Sequence, residues 1–236
     1  MLASQGLTAP PAPFEGPHGL WDLMGTRDIG PLPRGPVPAV TRASYKYYLT
    51  EYHSQAAIMA VLALRERVDP AQVAAVRIET DRFAWTEIGS GPEKWRPATR
   101  ETADHSLPYI AAAVLVDGVF SDDIFRPERF SDARILQLID KVTVVENPAF
   151  TEVFPAEMPC RVAITDRDGR LHSAEVRHPP GHPANPLTND QVAAKFRALT
   201  GRALHAVQAE RLLDTLWRLG EKGGGLDEIF AEAAVQ

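Results

Sequence analysis

The stretch Arg161-Val162-Ala163-Ile164-Thr165-Asp166-Arg167-Asp168-Gly169-Arg170-Leu171-His172-Ser173-Ala174-Glu175-Val176-Arg177 decides the fold class. Apolar and polar residues alternate on both sides of Asp166–Arg170, which carries the Asp-Gly signal of a tight reversal. That pattern is a β-hairpin, with one face of each strand turned to a core. Upstream, residues 73 to 80 show β-branched alternation and read as a further strand, and residues 142 to 145 look extended.

The rest of the chain is written in a helical period. Ser54 is placed to cap a helix whose Ile58, Val61 and Leu62 share a face and which stops at Asp69-Pro70. A second helix opens near Ser106-Leu107-Pro108, with proline in its first turn, and runs to Gly118. Ser131 begins a third, with Ile135, Leu138, Ile139 and Val142 on one side. Residues 82 to 100 read as a loop anchored by Trp85 and Trp95. Thr188-Asn189-Asp190-Gln191 is a capping box, and the helix it starts ends near Gly201. A last strong helix covers 206 to 219, and Gly223-Gly224-Gly225 reads as a flexible linker. Helices and strands alternate irregularly, with no repeat and no βαβ spacing. The expectation is an α+β fold.

Composition sets wide bounds. The 236 residues are 44% hydrophobic and 24% charged, with a net charge of -6. An acidic chain argues against non-specific nucleic-acid binding. It leaves room for a local cationic cluster that holds carboxylates. Cys160 is the only cysteine, so no internal disulfide forms, and a buried thiol in a reducing, cytoplasmic setting is expected. No secretory signal is visible, and the apolar run at 106–116 is too short to span a bilayer. Eight prolines between positions 10 and 38 bracket one short helical candidate at 19–24. Phe14, Leu20, Trp21, Leu23 and Met24 argue that this segment runs over a surface.

Two clusters carry chemistry. Lys46-Tyr47-Tyr48-Leu49-Thr50-Glu51-Tyr52-His53-Ser54-Gln55 sets a cation, a carboxylate, an imidazole and three phenols before a helix, where exposed amides favour an anion. Its plain alternative is a decorated helix start with Glu51 and His53 in solvent. Thr99 to Tyr109 packs Asp104, His105, Ser106 and Tyr109 around a second helix start. A histidine beside an aspartate can be held in one tautomer and act as acid or base. Equally, Asp104 or Ser106 caps the helix while His105 fills a polar gap. His178, Gly181 and His182 are a weak metal suggestion. The glycine run is neither a phosphate loop nor a dinucleotide fingerprint, and no Gly-x-Ser-x-Gly occurs.

Together the clusters resemble the MmgE/PrpD superfamily, the methylcitrate dehydratases and cis-aconitate decarboxylases. Lys46 through Gln55 is similar to that family's lysine-aromatic and Glu-aromatic-His-Ser-Gln stretch. Lys94 through Tyr109, with Thr102-Ala103-Asp104-His105-Ser106-Leu107-Pro108-Tyr109, is similar to its most distinctive signature. Phe14-Glu15-Gly16, the 181–188 run and Lys195-Phe196 match further segments.

The resemblance implies an α+β domain inserted between segments of an all-helical domain whose N-terminal half is missing here. The corresponding segments are 1–69, 70–182 and 183–236. It implies a cofactor-free and metal-free hydro-lyase of propionate catabolism, acting on a di- or tricarboxylate such as 2-methylcitrate. A base takes the proton α to a carboxylate, and an acid protonates the departing β-hydroxyl. Under it, His105, Tyr109 and His53 are the catalytic candidates, and Lys46, Glu51 and Ser106 bind substrate. Glu51 stands where decarboxylase members hold a histidine, which favours the dehydratase branch; Leu49 replaces a frequent proline. Members run to about twice this length. The expectation is therefore a fragment, a split product that needs a complementary N-terminal chain or a homodimer, or a non-catalytic remnant; a related decarboxylase or epimerase is the other alternative. Neither a nucleic acid nor a membrane is an expected partner.

Overall fold

The computed structural model describes residues 12–14, 16, 19–24, 43–220 and 226–234. Most of the early proline run, residues 221–225 with the glycine run, and Glu15 lie outside them. The chain divides into two compact units, Met1–Arg42 and Ala43–Gln236.

In the first unit, α1 (Leu20–Met24) follows a tight turn. Gly16 N–H donates to the Ala12 carbonyl at 2.9 Å and Trp21 N–H to that of Phe14 at 3.0 Å. The Phe14 and Trp21 rings stand 6.3 Å apart. A Cβ at Gly16 would press on the Ala12 carbonyl oxygen at 2.5 Å, so the turn needs glycine there.

The second unit holds a four-stranded mixed sheet in the order β2-β1-β3-β4. The strands are β1 (Val73–Thr80), β2 (Val142–Glu146), β3 (Cys160–Asp166) and β4 (Leu171–Val176). The hairpin is as read: β3 and β4 pair antiparallel from Cys160 opposite Val176 to Thr165 opposite Leu171. Gly169 takes the left-handed φ of 80° that its turn requires. β1 and β2, however, are parallel neighbours, joined by a crossover over residues 81–141. That connection is about twice as long as an ordinary βαβ unit, so its spacing carries no periodic sign of the pairing.

One face of the sheet is apolar. Val76, Ile78, Val142, Val144, Val162 and Ile164 are buried beneath α2 (Ser54–Arg65), α5 (Leu107–Asp117) and α6 (Ala133–Ile139). The other face carries Arg77, Glu79, Arg161 and Glu175: Arg77 pairs with Glu79 within β1 at 3.0 Å, and Arg161 reaches Glu79 and Glu175 across the strands at 3.2 and 2.7 Å. Alternation within each strand produces this division. The fold is α+β, with helices layered on one face. Cys160 is buried, and burial pushes its thiol well above the usual range.

Three details depart from the sequence reading. Residues 82–95 are helical turns, α3 (Arg82–Ala84), a π turn (Trp85–Gly89) and a 3-10 turn (Pro92–Trp95). Both tryptophans nevertheless anchor to the core, and Trp95 donates its indole N–H to the Val142 carbonyl at 3.2 Å. His53, not Ser54, occupies the cap position of α2, and the Ser54 hydroxyl donates to the Glu51 carbonyl at 2.6 Å. The third helix is capped by Asp132, not Ser131. The Asp132 carboxylate accepts from Arg134 N–H at 3.0 Å and pairs with Arg129 and Arg134 at 2.8 Å.

Hydrogen bonding from Arg134 is the largest cause holding the Asp132 carboxyl down at about 2. A depressed carboxylate stabilises the fold above its unfolded value and loses that contribution as pH falls toward the folded one. Asp132→Ala is therefore expected to cost about 1–2 kcal/mol at neutral pH. The difference should shrink as pH drops from about 4 to about 2, as urea denaturation at several pH values will measure.

At the end of the unit, α8 (Asn189–Thr200), α9 (Ala206–Trp217) and α10 (Leu226–Glu232) pack in sequence on one another. The capping box is present: Thr188 Oγ accepts from Gln191 N–H, and Gln191 returns to Thr188 N–H. Ala209, Leu212 and Leu213 form the covered face of α9. Val207, Leu226 and Phe230 remain 64–71% exposed. Among the described residues no helix is long and apolar enough to cross a membrane.

Candidate functional site

The helices α2 and α5 lie side by side and run in the same direction. At one end the Thr50 hydroxyl reaches the Asp104 carbonyl at 3.4 Å; at the other, a Cβ on Gly118 would touch Arg65 at 3.7 Å. Both polar clusters lead into these N-termini, so packing across the sheet brings them to one edge. The short α4 (Arg100–Asp104) precedes α5, with the capping box Thr99–Thr102 at its start. Two helix starts at one edge make a field that favours an anion.

Each candidate has definite surroundings. Lys46 is exposed, and among the described residues it has no ion pair. Its backbone carbonyl accepts from the Lys195 ammonium in α8. Glu51 turns its carboxylate onto the His53 N–H at 2.7 Å, which orders the turn into α2. The His53 ring stands 4.8 Å from Phe83 and 5.7 Å from Phe154, with Nδ1 buried and without a hydrogen-bond partner. His105 is half-buried, 42% exposed in its side chain. Its Nδ1 contacts the Glu101 carbonyl at 3.2 Å. A carbonyl only accepts, so Nδ1 carries a proton, and in the neutral ring the lone pair is then on Nε2. The Glu101 and Asp104 carboxylates stand 3.7 and 3.8 Å from the ring.

Ser106 and Tyr109 lie deeper. Ser106 caps α5, accepting from Tyr109 N–H at 3.2 Å, and its hydroxyl donates to the Lys94 carbonyl. Tyr109 is wholly buried, and its hydroxyl donates to the Ile124 carbonyl. Burial pushes that phenol upward. In this arrangement both side chains serve the helix start and the core. Gln55, a motif residue given no role above, is fully buried. Its amide clamps the Tyr48 backbone, accepting at 2.8 Å and donating at 3.0 Å. Its polarity therefore serves structure.

From Tyr47–Leu49 a groove of about 1030 Å³ runs to the C-terminal ends of α2 and α5. Tyr47, Tyr48 and Leu49 form one wall, Arg65, Glu66 and residues 118–122 the floor, and Lys195, Leu199 and Arg202 of the α8 region the other wall. Tyr48 gives its hydroxyl to Met59 Sδ at 3.0 Å, and burial, then Tyr47, pushes its phenol up to about 12. None of the six candidates lines the groove, although Tyr47 follows Lys46 directly. Arg65, Lys195 and Arg202 are its cations, and sequence reasoning left all three without a role. Arg65 sits in the last turn of an apolar helix, where a basic residue is ordinary, so only the groove marks it out. The His178 and His182 rings face each other at 4.8 Å, but the described residues contain no group of three or more metal-ligating side chains.

Residues 48–219 match the family model for the MmgE/PrpD C-terminal domain. The chain is 30% identical to the 2-methylcitrate dehydratase of Salmonella typhimurium over 176 residues, 70% of this chain and 36% of that protein. It is 30% identical to the mitochondrial 2-methylcitrate dehydratase of Yarrowia lipolytica over 142 residues, 56% of this chain and 27% of the relative. The cis-aconitate decarboxylase of Mus musculus is 27% identical over 123 residues, 52% of this chain and 25% of that enzyme. The matched part is thus 25–36% of each relative's length.

Proposed function

This chain belongs to the MmgE/PrpD family, and on that premise we propose that it supplies part of the active site of a cytoplasmic hydro-lyase. Its substrate is a tricarboxylate such as 2-methylcitrate, and its partner is a complementary N-terminal chain or segment. The observation that carries the proposal is the Thr50–Asp104 contact, which sets both polar motifs beside two helix N-termini at one edge.

Dehydration removes a proton from the carbon α to a carboxylate and expels the hydroxyl from the β carbon. Lys46, exposed and without an acid partner among the described residues, is suited to hold a carboxylate as a point charge. His105 presents a free Nε2 at the same edge and takes the proton. His53, its ring against Phe83 and Phe154 and its Nδ1 without a hydrogen-bond partner among the described residues, is the second candidate to carry a proton, to the leaving oxygen. Glu51 and Ser106 support these groups by ordering the two helix starts. Tyr109 takes part only if its bond to Ile124 is exchanged for one to substrate. A second chain is the natural cover for the exposed apolar side chains Val207, Leu226 and Phe230 on α9 and α10.

The proposal is tested by purifying the chain alone and co-expressed with the N-terminal part of a 2-methylcitrate dehydratase. Each preparation is assayed with 2-methylcitrate, citrate and cis-aconitate. Dehydration of 2-methylcitrate by the co-expressed pair, with at least hundredfold less from the chain alone, is the expected outcome, because loss of cooperating acid–base groups costs about two or more orders of magnitude. Carbon dioxide release from cis-aconitate would place the chain with the decarboxylases. An assembled pair with no turnover of any of the three would end the reading.

A further inference from the structure

Lys195 lies 149 positions from Lys46, yet its ammonium donates to the Lys46 backbone carbonyl. That contact ties α8 to the segment leading into α2. An ammonium has three N–H donors, so two remain, and the side chain lines the groove.

Positive charge is left over at this point. Of the groove's three cations, Arg202 is paired with Asp122 at 2.8 Å and with Asp123 at 3.3 Å. Asp122 is held in addition by Arg100 at 2.8 Å. Among the described residues neither Lys195 nor Arg65 has an acid within ion-pair distance, and Arg65 Nε is buried without a hydrogen-bond partner. Lys46 likewise has no acid partner among the described residues. Burial, and secondly the charge of Lys46, holds the Lys195 ammonium below its ordinary value. Two neighbouring ammonium groups repel each other, and an anion with two separated negative charges relieves both at once.

We propose that Lys195 is a second substrate-binding cation, so that Lys46 and Lys195 hold two different carboxylates of one small polycarboxylate. The second carboxylate lies at the mouth of the groove, with Tyr47 beside it and Arg65 beyond. The inference rests on the functional reading above and deepens it. It requires at least two carboxylates in the ligand, and it gives α8 a direct part in recognition.

The test uses the 236-residue chain and two non-reacting probes, tricarballylate with three carboxylates and butyrate with one. Binding is followed by nuclear magnetic resonance for the unchanged chain, Lys46→Gln, Lys195→Gln and Lys195→Arg. The unchanged chain is expected to prefer tricarballylate. Lys195→Gln should weaken that probe about ten- to hundredfold, the value of one charged hydrogen bond, and should leave butyrate nearly unchanged. Lys195→Arg should recover most of the loss. In the unchanged chain tricarballylate should also shift the Lys195 side-chain resonances, a reading that holds whether or not a variant folds.

An equal loss for both probes in Lys195→Gln would mean that Lys195 only positions the Lys46 segment, which overturns the proposal. If Lys46→Gln abolishes tricarballylate binding while Lys195→Gln leaves it intact, this proposal falls and the functional reading stands. If the unchanged chain binds no tricarballylate, this proposal falls, and turnover by the assembled pair still decides the functional reading.

Discussion

His105→Asn is expected to lower 2-methylcitrate dehydration in the assembled enzyme by about a hundred- to ten-thousandfold, the usual worth of a general acid or base. The substitution is chosen for what it keeps. An asparagine amide can still donate to the Glu101 carbonyl, which Nδ1 contacts at 3.2 Å, and it removes the Nε2 lone pair. His105 is 42% exposed in its side chain, so the fold loses little, within about 0.5 kcal/mol for a surface change of this kind. Rate and stability therefore separate. The checks are kcat for dehydration and the urea midpoint of the same preparation. Activity within threefold of the unchanged enzyme would remove His105 from the chemistry and leave it as the polar filler of a helix start.

Gly181→Ala should have the largest effect on stability of any single methyl added to this chain. Gly181 has φ 88°, a left-handed conformation that costs other residues about 1–2 kcal/mol. A Cβ there would also lie inside contact distance of the Tyr45 carbonyl oxygen, backbone that cannot rotate away as a side chain can. The two segments are joined at that point, Tyr45 N–H donating to the Gly181 carbonyl at 2.9 Å. Strain and clash together give an expected loss of about 3 kcal/mol or more. The clasp holds the residue next to Lys46, so substrate affinity should fall with it. Thermal denaturation reports the first effect and a tricarballylate titration the second. A variant as stable as the parent would show that the clasp is not a fixed part of the fold.

The sequence by itself determined what depends on neighbours a few residues apart. The Asp166–Arg170 turn, the capping box at Thr188–Gln191, and the helix from Ser106 to the left-handed Gly118 all form as read. Each is closed by hydrogen bonds within a handful of residues, and residue type alone prescribes such bonds. The motif around Thr102–Tyr109 likewise marked the family without any coordinates.

Only the tertiary structure decided how these pieces meet. The parallel pairing of β1 with β2 spans the whole 81–141 crossover. The Thr50–Asp104 contact joins residues 54 apart, and the Lys195–Lys46 contact residues 149 apart. It also separated residues that composition treats alike: His105 stays at the surface, while Tyr109, four positions on, spends its hydroxyl on Ile124 in the core. The reason is physical. Which side of a helix is buried follows from the local period, but which polar groups share that edge follows from how two distant apolar faces close on one sheet.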